Sequence, residues 1–148
     1  MTKKSLKSYR DKIDKIDQDI LTLIQKRACH AVAIGKIKSK TDPKNSFYKP
    51  DRESKILRNI IKSNTDGLLP DSKIRTIYKE LISGCLSLEE ILKVAYLGPK
   101  GTHSEAAVHN QFGSQVTRIP TNTIDDVFYQ VINDEVNIGV VPVENSSE

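Results

Sequence analysis

The stretch from Leu6 to Lys40 constrains this chain more than any other. It contains no proline, and Leu6, Tyr9, Ile13, Ile16, Ile20, Leu23, Ile34 and Ile37 mark an apolar seam at three- and four-residue steps, the pattern of one long helix. At 1.5 Å per residue such a helix runs roughly 50 Å, more than a small domain needs to cover its own core. The surplus apolar length predicts packing along a partner chain.

Charge interrupts the seam. Arg27 stands where the repeat asks for an apolar residue, and His30 takes the next such position. Lys38 lies about three turns beyond Arg27, so both project from nearly the same face. Arg10 does not join them, being about 25 Å from Arg27 along the axis and roughly a quarter-turn round. One straight helix cannot bring Arg10 and Arg27 to one small ligand, whereas a paired antiparallel copy can.

Downstream, the polar run from Ser39 to Asn45 reads as a loop. Pro50 suits the first turn of a second helix, with Asp51 and Glu53 placed for its dipole and Ile56, Leu57, Ile60 and Ile61 as its buried stripe. A third helix is expected from Asp71 to Leu92, with Ile74, Tyr78, Leu81, Cys85, Leu88 and Leu92 as its stripe and Glu89 on the edge of that stripe. A carboxylate there is costly to bury unless it is partnered or protonated.

At Lys93 the texture changes. KVAYLG reads as a short buried strand, followed by the turn PKGT and a helix from about Ser104 to Phe112. Gln115–Ile119 is expected as a second strand, IDDVFYQVIND as a second helix and Val136–Val143 as a third strand. The fold class is therefore α + α/β, three helices over residues 5–92 and then a β-α-β-α-β lobe with a parallel sheet. Ending on Glu148, just after a strand-to-helix turn, the second part is expected to be a three-stranded half-lobe, poorly folded by itself with a sheet edge exposed.

Charge divides the chain at the same place. Residues 1–92 hold 20 Lys and Arg against 12 Asp and Glu, net +8, while residues 93–148 hold 3 against 7, net −4. The domain expectation is accordingly 1–92 and 93–148. Cys29 and Cys85 have no metal-type spacing and do not read as a disulfide framework, which fits a reducing cytoplasm. The start MTKKSLKSYRDK has no apolar core of a signal peptide, and no run reaches the ~18 apolar residues of a membrane span. No membrane partner is expected.

The basic surplus raises a nucleic-acid reading. However, the lysines are scattered through helices, and the chain has no Trp and 5% aromatic residues, so a solvated face explains most of them. Nothing supports a nucleophilic triad, a zinc site or a P-loop. What remains is a cationic set, Arg10, Arg27, Lys38 and Arg52, with Glu53 and Glu89, able to hold a small dianion inside a helical bundle. A basic nucleic-acid-binding or coiled-coil dimerisation module is the alternative, but phosphate-binding lysines would lie opposite the seam and a plain coiled coil has no need of Arg27 or Glu89.

The order Arg10, Arg27, Lys38, then Asp51-Arg52-Glu53 opening the second helix and CLSLEE in the third resembles the all-helical chorismate mutase family over about residues 5–92. VAYLGPKGTHSEAA and DDVFYQVINDEVNIGVVPVENSSE resemble the beginning of prephenate dehydratase, whose fold is like that of periplasmic binding proteins. Their joint order is that of a bifunctional P-protein of phenylalanine biosynthesis. The resemblance implies an intertwined helical homodimer with two sites, each completed by Arg10 of the other chain. It implies that Arg27 clamps a substrate carboxylate, Lys38 reaches a carboxylate and the ether oxygen, and Arg52 supports the site. Glu53 would accept from the ring hydroxyl, and Glu89 would meet the ether oxygen.

Two departures bear on substrate contact: Lys49 stands where an aspartate can occur, and Cys85, expected to touch substrate, where a serine can. The rearrangement of chorismate to prephenate is intramolecular, so no cofactor or metal is expected; the protein folds the side chain over the ring and stabilises charge on the ether oxygen. In the second part, Thr102 and Ser104 in the turn after the first strand and Asn145 are implied parts of a prephenate site. The family's Thr-Arg-Phe motif, second lobe and regulatory domain are missing, so no dehydration by this chain is expected.

Overall fold

A computed structural model describes residues 5–41 and 48–143. The first helix, α1, spans Leu6–Thr41 and is 36 residues long. Ser5 caps its start by accepting from the Ser8 amide at 3.3 Å, and Lys38 and Lys40 lie in the last turn, where cations offset the dipole. Gly35 is its one buried residue.

The second helix, α2, spans Pro50–Ser63, opening on proline with Asp51 and Glu53 in the first turn and closing with Lys62 in the last. Asn64 then ties the turn to the third helix, α3 (Asp71–Leu86), by donating to the Leu69 carbonyl at 3.1 Å and to Asp71 Oδ1 at 2.8 Å. Both α1 and α2 pack on α3.

The third helix stops at Leu86, not at the expected Leu92. Leu88 and Glu89 donate to carbonyls three residues back, Cys85 and Leu86, so the chain tightens out of α-helix. The Ser87 hydroxyl takes the Gly84 carbonyl at 2.7 Å, the local competition by which serine weakens a helix. Leu92 leaves the helical stripe for the linker to the sheet, where it is 2% exposed, while Leu88 stays exposed. The three-four spacing of Leu88 and Leu92 mimics a stripe that the fold does not use.

The α/β part is a parallel sheet of β1 (Lys93–Leu97), β2 (Thr117–Thr121) and β3 (Ile138–Val140) in the order β2-β1-β3. Val94 lies opposite Arg118 on one side and Ile138 on the other. The central strand is buried on both faces, as its apolar run requires. Val94 and Tyr96 pack on Val108 and Phe112 of α4 (His103–Phe112), and Ala95 packs on Val127 of α5 (Ile124–Ile132) and on Val136. A capping box of Thr123 and Asp126 starts α5.

Two strands differ in extent from the expectation. The second begins at Thr117 because the Ser114 and Gln115 amides are taken by Glu80 and Ser83 of α3. The third is shorter because Val136 donates back to the Gln130 carbonyl of α5. Backbone partners supplied from outside the sheet, by side chains of α3 and a carbonyl of α5, are not visible in strand periodicity.

Candidate active site

One cavity of about 570 Å³ lies within the helical part, a volume suited to a small organic ligand. From α1 it receives Arg27, His30, Ala31, Ile34 and Lys38, residues that share one face at helical spacing. Arg52, Glu53, Ile56 and Ile60 come from α2, and Tyr78, Ile82, Cys85 and Leu86 from α3. Tyr48 and Lys49 before α2, and Glu89 after α3, complete the lining.

The polar lining is cationic. Arg27, Lys38, Lys49 and Arg52 bring four positive charges against the two carboxyl groups of Glu53 and Glu89, so cations are in surplus. That balance fits a small dianion, and the guanidinium groups can fork onto carboxylates. Ile34, Ile56, Ile60 and Ile82 supply apolar walls that exclude water and strengthen these interactions.

Glu89 is held at the centre of this chemistry by the early end of α3. Its side chain is 8% exposed, and its Oε2 lies 3.6 Å from Lys38 Nζ. The same oxygen is buried and, beyond that ion pair, has no hydrogen-bond partner among the described residues. Gly35 makes room for it: a Cβ there would stand 2.9 Å from Glu89 Cγ. Burial raises the Glu53 carboxyl above its ordinary range, while Lys79 pulls it back down. Burial likewise raises the Tyr48 phenol; its bond from Gln111 opposes this and the Glu53 charge adds to it.

Of the residues singled out in the sequence, Arg27, Lys38, Arg52, Glu53, Cys85 and Glu89 come together around the cavity. Arg10 does not; it is exposed on the distant part of α1. Glu89 reaches the site from a turn and not from a helix rim. Tyr48, Tyr78 and Gly35 were not recognised as site residues. Tyr78 read as core on the α3 stripe, and a glycine inside a long helix was the available signal for a close packing contact.

In the α/β part, Thr102 caps α4 by accepting from the Glu105 amide, and Gly101 donates to Glu105 Oε2 at 2.6 Å. Gly101, Thr102, Glu105, Ala106, His109 and Arg118 surround a smaller cavity of about 280 Å³, with Arg118 Nε 3.6 Å from Glu105 Oε1. Ser104 is at the start of the same helix but does not line that cavity. Asn145 lies outside the described residues. Among the described residues no three His, Cys, Asp or Glu side chains gather as metal ligands, and no helix is long and apolar enough to cross a membrane.

Fold and cavity together define a helical-bundle protein with a cavity lined by arginines and lysines and sized for a small organic molecule, joined to a parallel α/β segment. The chorismate mutase type II family matches residues 9–90, more than half of the chain, and the chain belongs to that family. Residues 94–148 match prephenate dehydratase. Bifunctional chorismate mutase/prephenate dehydratases of Stutzerimonas stutzeri and Aquifex aeolicus are each 44% identical over 146 residues, covering 97% of this chain and 40% of theirs. That of Escherichia coli K12 is 26% identical over 162 residues, covering 96% of this chain and 40% of its own. The chain spans about 40% of the length of the curated relatives it matches. A chorismate mutase domain is thus joined to prephenate dehydratase sequence, and the nucleic-acid-binding alternative is not favoured.

Proposed function

We propose that this chain rearranges chorismate to prephenate in the helical cavity, as a homodimer in the cytoplasm that serves phenylalanine biosynthesis. The observation that carries this reading is the convergence of Arg27, Lys38, Arg52, Glu53 and Glu89 from two helices and a turn around one cavity. Arg27 and Lys38 grip the substrate carboxylates, Arg52 supports them, and Glu53 accepts from the ring hydroxyl. Lys38 and Glu89 donate to the ether oxygen as its bond to the ring breaks; the new carbon–carbon bond forms within the same molecule, so no nucleophile or cofactor takes part. Cys85 lies against the substrate and Arg10 of the second copy closes the site.

The domain division that goes with this reading is 1–92 for the mutase and 93–148 for dehydratase sequence. In the whole protein the second activity decarboxylates and dehydrates prephenate to phenylpyruvate, with Thr102, Ser104 and Asn145 at its site. The test is a chorismate disappearance assay on the full 148-residue chain. Consumption is expected, with kcat/KM lowered by on the order of 10²–10³ in Lys38→Ala, the usual cost of removing one donor to a developing oxyanion. A folded wild-type chain that leaves chorismate untouched refutes the proposal.

A further inference from the structure

The helical cavity and the α/β part meet at Tyr48. Tyr48 lines the cavity, and its ring also stands edge-on to Phe112 of α4, with centroids 5.3 Å apart and planes inclined at 62°. There it packs against the buried cluster of Val94, Tyr96, Val108 and Phe112. Its hydroxyl accepts from Gln111 Nε2 at 3.2 Å. Two consecutive residues of α4 therefore hold one face of a wall belonging to another domain.

The last turn of α4 is itself fixed to α3. Lys79 Nζ donates to the Asn110 carbonyl at 2.5 Å, placing a cation on the negative end of α4, and Glu80 accepts from the Ser114 amide at 3.1 Å and from its hydroxyl at 2.6 Å. Gln115 N–H donates to Ser83 Oγ at 3.3 Å. Tyr78 and Ile82, neighbours of these residues on α3, face the cavity. One helix thus carries the cavity on one side and the latch for α4 on another.

Tyr48 precedes α2 and so lacks a helix of its own to fix its ring. We infer that Gln111 and Phe112, outside the helical domain, are positioning residues for the chorismate site and act on it through Tyr48. This rests on the mutase reading. Neither residue lines the cavity, so their contribution is to preorganise a wall before substrate arrives. A wall that is equally favourable to substrate and transition state lowers KM and leaves kcat alone.

The experiment is steady-state mutase kinetics on the full chain with Gln111→Leu, Tyr48→Phe and the double variant. Gln111 is exposed, so its substitution is expected to leave the thermal midpoint in place while raising KM about two- to fivefold, the range of one modest hydrogen bond, with kcat unchanged. The double variant should have the KM of Tyr48→Phe alone, because Gln111 has nothing left to hold. An unchanged KM in Gln111→Leu, or KM increases that multiply in the double variant, overturns the inference. Failure of the wild-type chain to turn over chorismate overturns the mutase reading itself, a different result from an active enzyme that ignores Gln111.

Discussion

Gly35 and Glu89 show how a small residue on one helix sets the chemistry of a carboxylate on another segment. Adding a methyl group at Gly35 gains about 1 kcal/mol of helix propensity but places Cβ 2.9 Å from Glu89 Cγ. Because a side chain and not backbone is in the way, Gly35→Ala should displace the carboxylate without unfolding the protein. Its kcat/KM is expected to fall on the order of tenfold to a hundredfold with little change in Tm, as for a misplaced catalytic group. If Glu89 donates to the ether oxygen as proposed, Glu89→Gln, a donor of similar shape, should keep most of kcat/KM while Glu89→Ala loses on the order of 10²–10³. Equal losses in the two variants would dismiss the donor role. For Glu53, whose carboxyl is raised by burial, the stability sign is opposite to that of a salt-bridged carboxylate. Its contribution is fully present below the unfolded pKa and is lost as pH rises through the raised folded value. Glu53→Gln should therefore melt above wild type near neutral pH, with the gap closing in acid.

Among the elements, α3 decides most. Its early stop at Leu86 releases Glu89 into the cavity and Leu92 into the linker to the sheet, while Lys79, Glu80 and Ser83 fix the end of α4. The latch depends on Gly113, which has φ of 76° and passes so close to α3 that a Cβ would stand 2.8 Å from Ser83 Cβ. Gly113→Ala meets both backbone strain and a clash, and should cost about 1–3 kcal/mol in a denaturant titration. Amide exchange should rise first in α4 and β2. A variant as stable as wild type would mean that the two parts are not joined at this turn.

Across the whole molecule, α1 carries a long run of exposed apolar side chains. Leu6, Ile13, Leu23 and Ile37 are each more than half exposed along a 36-residue helix whose only buried residue is Gly35. Such a run of apolar side chains is the surface that the proposed homodimer would cover, and Arg10, far from the cavity of its own chain, would then reach that of the second copy. On that proposal Arg10→Ala and Arg27→Ala chains are each inactive alone, and mixing them should restore activity, since one site of each heterodimer would have both arginines intact. No recovery after verified subunit exchange would remove the shared site.

Periodicity and charge in the sequence already determined the three helices, the parallel β-α-β-α-β order and most of the cationic set, because each is a local or same-face property of the chain. Arg27 and Lys38 could be paired on one face from their spacing alone, and Arg10 could be separated from them by helix length. Tertiary structure decided where α3 ends, since Leu92 is drawn into a linker by burial that no local pattern encodes. It also decided that Tyr48 belongs to the cavity and to the α4 contact at once, and that Gly35 makes room for Glu89. Those contacts join residues far apart in the chain, and their energies depend on shape and desolvation that exist only once the helices have met.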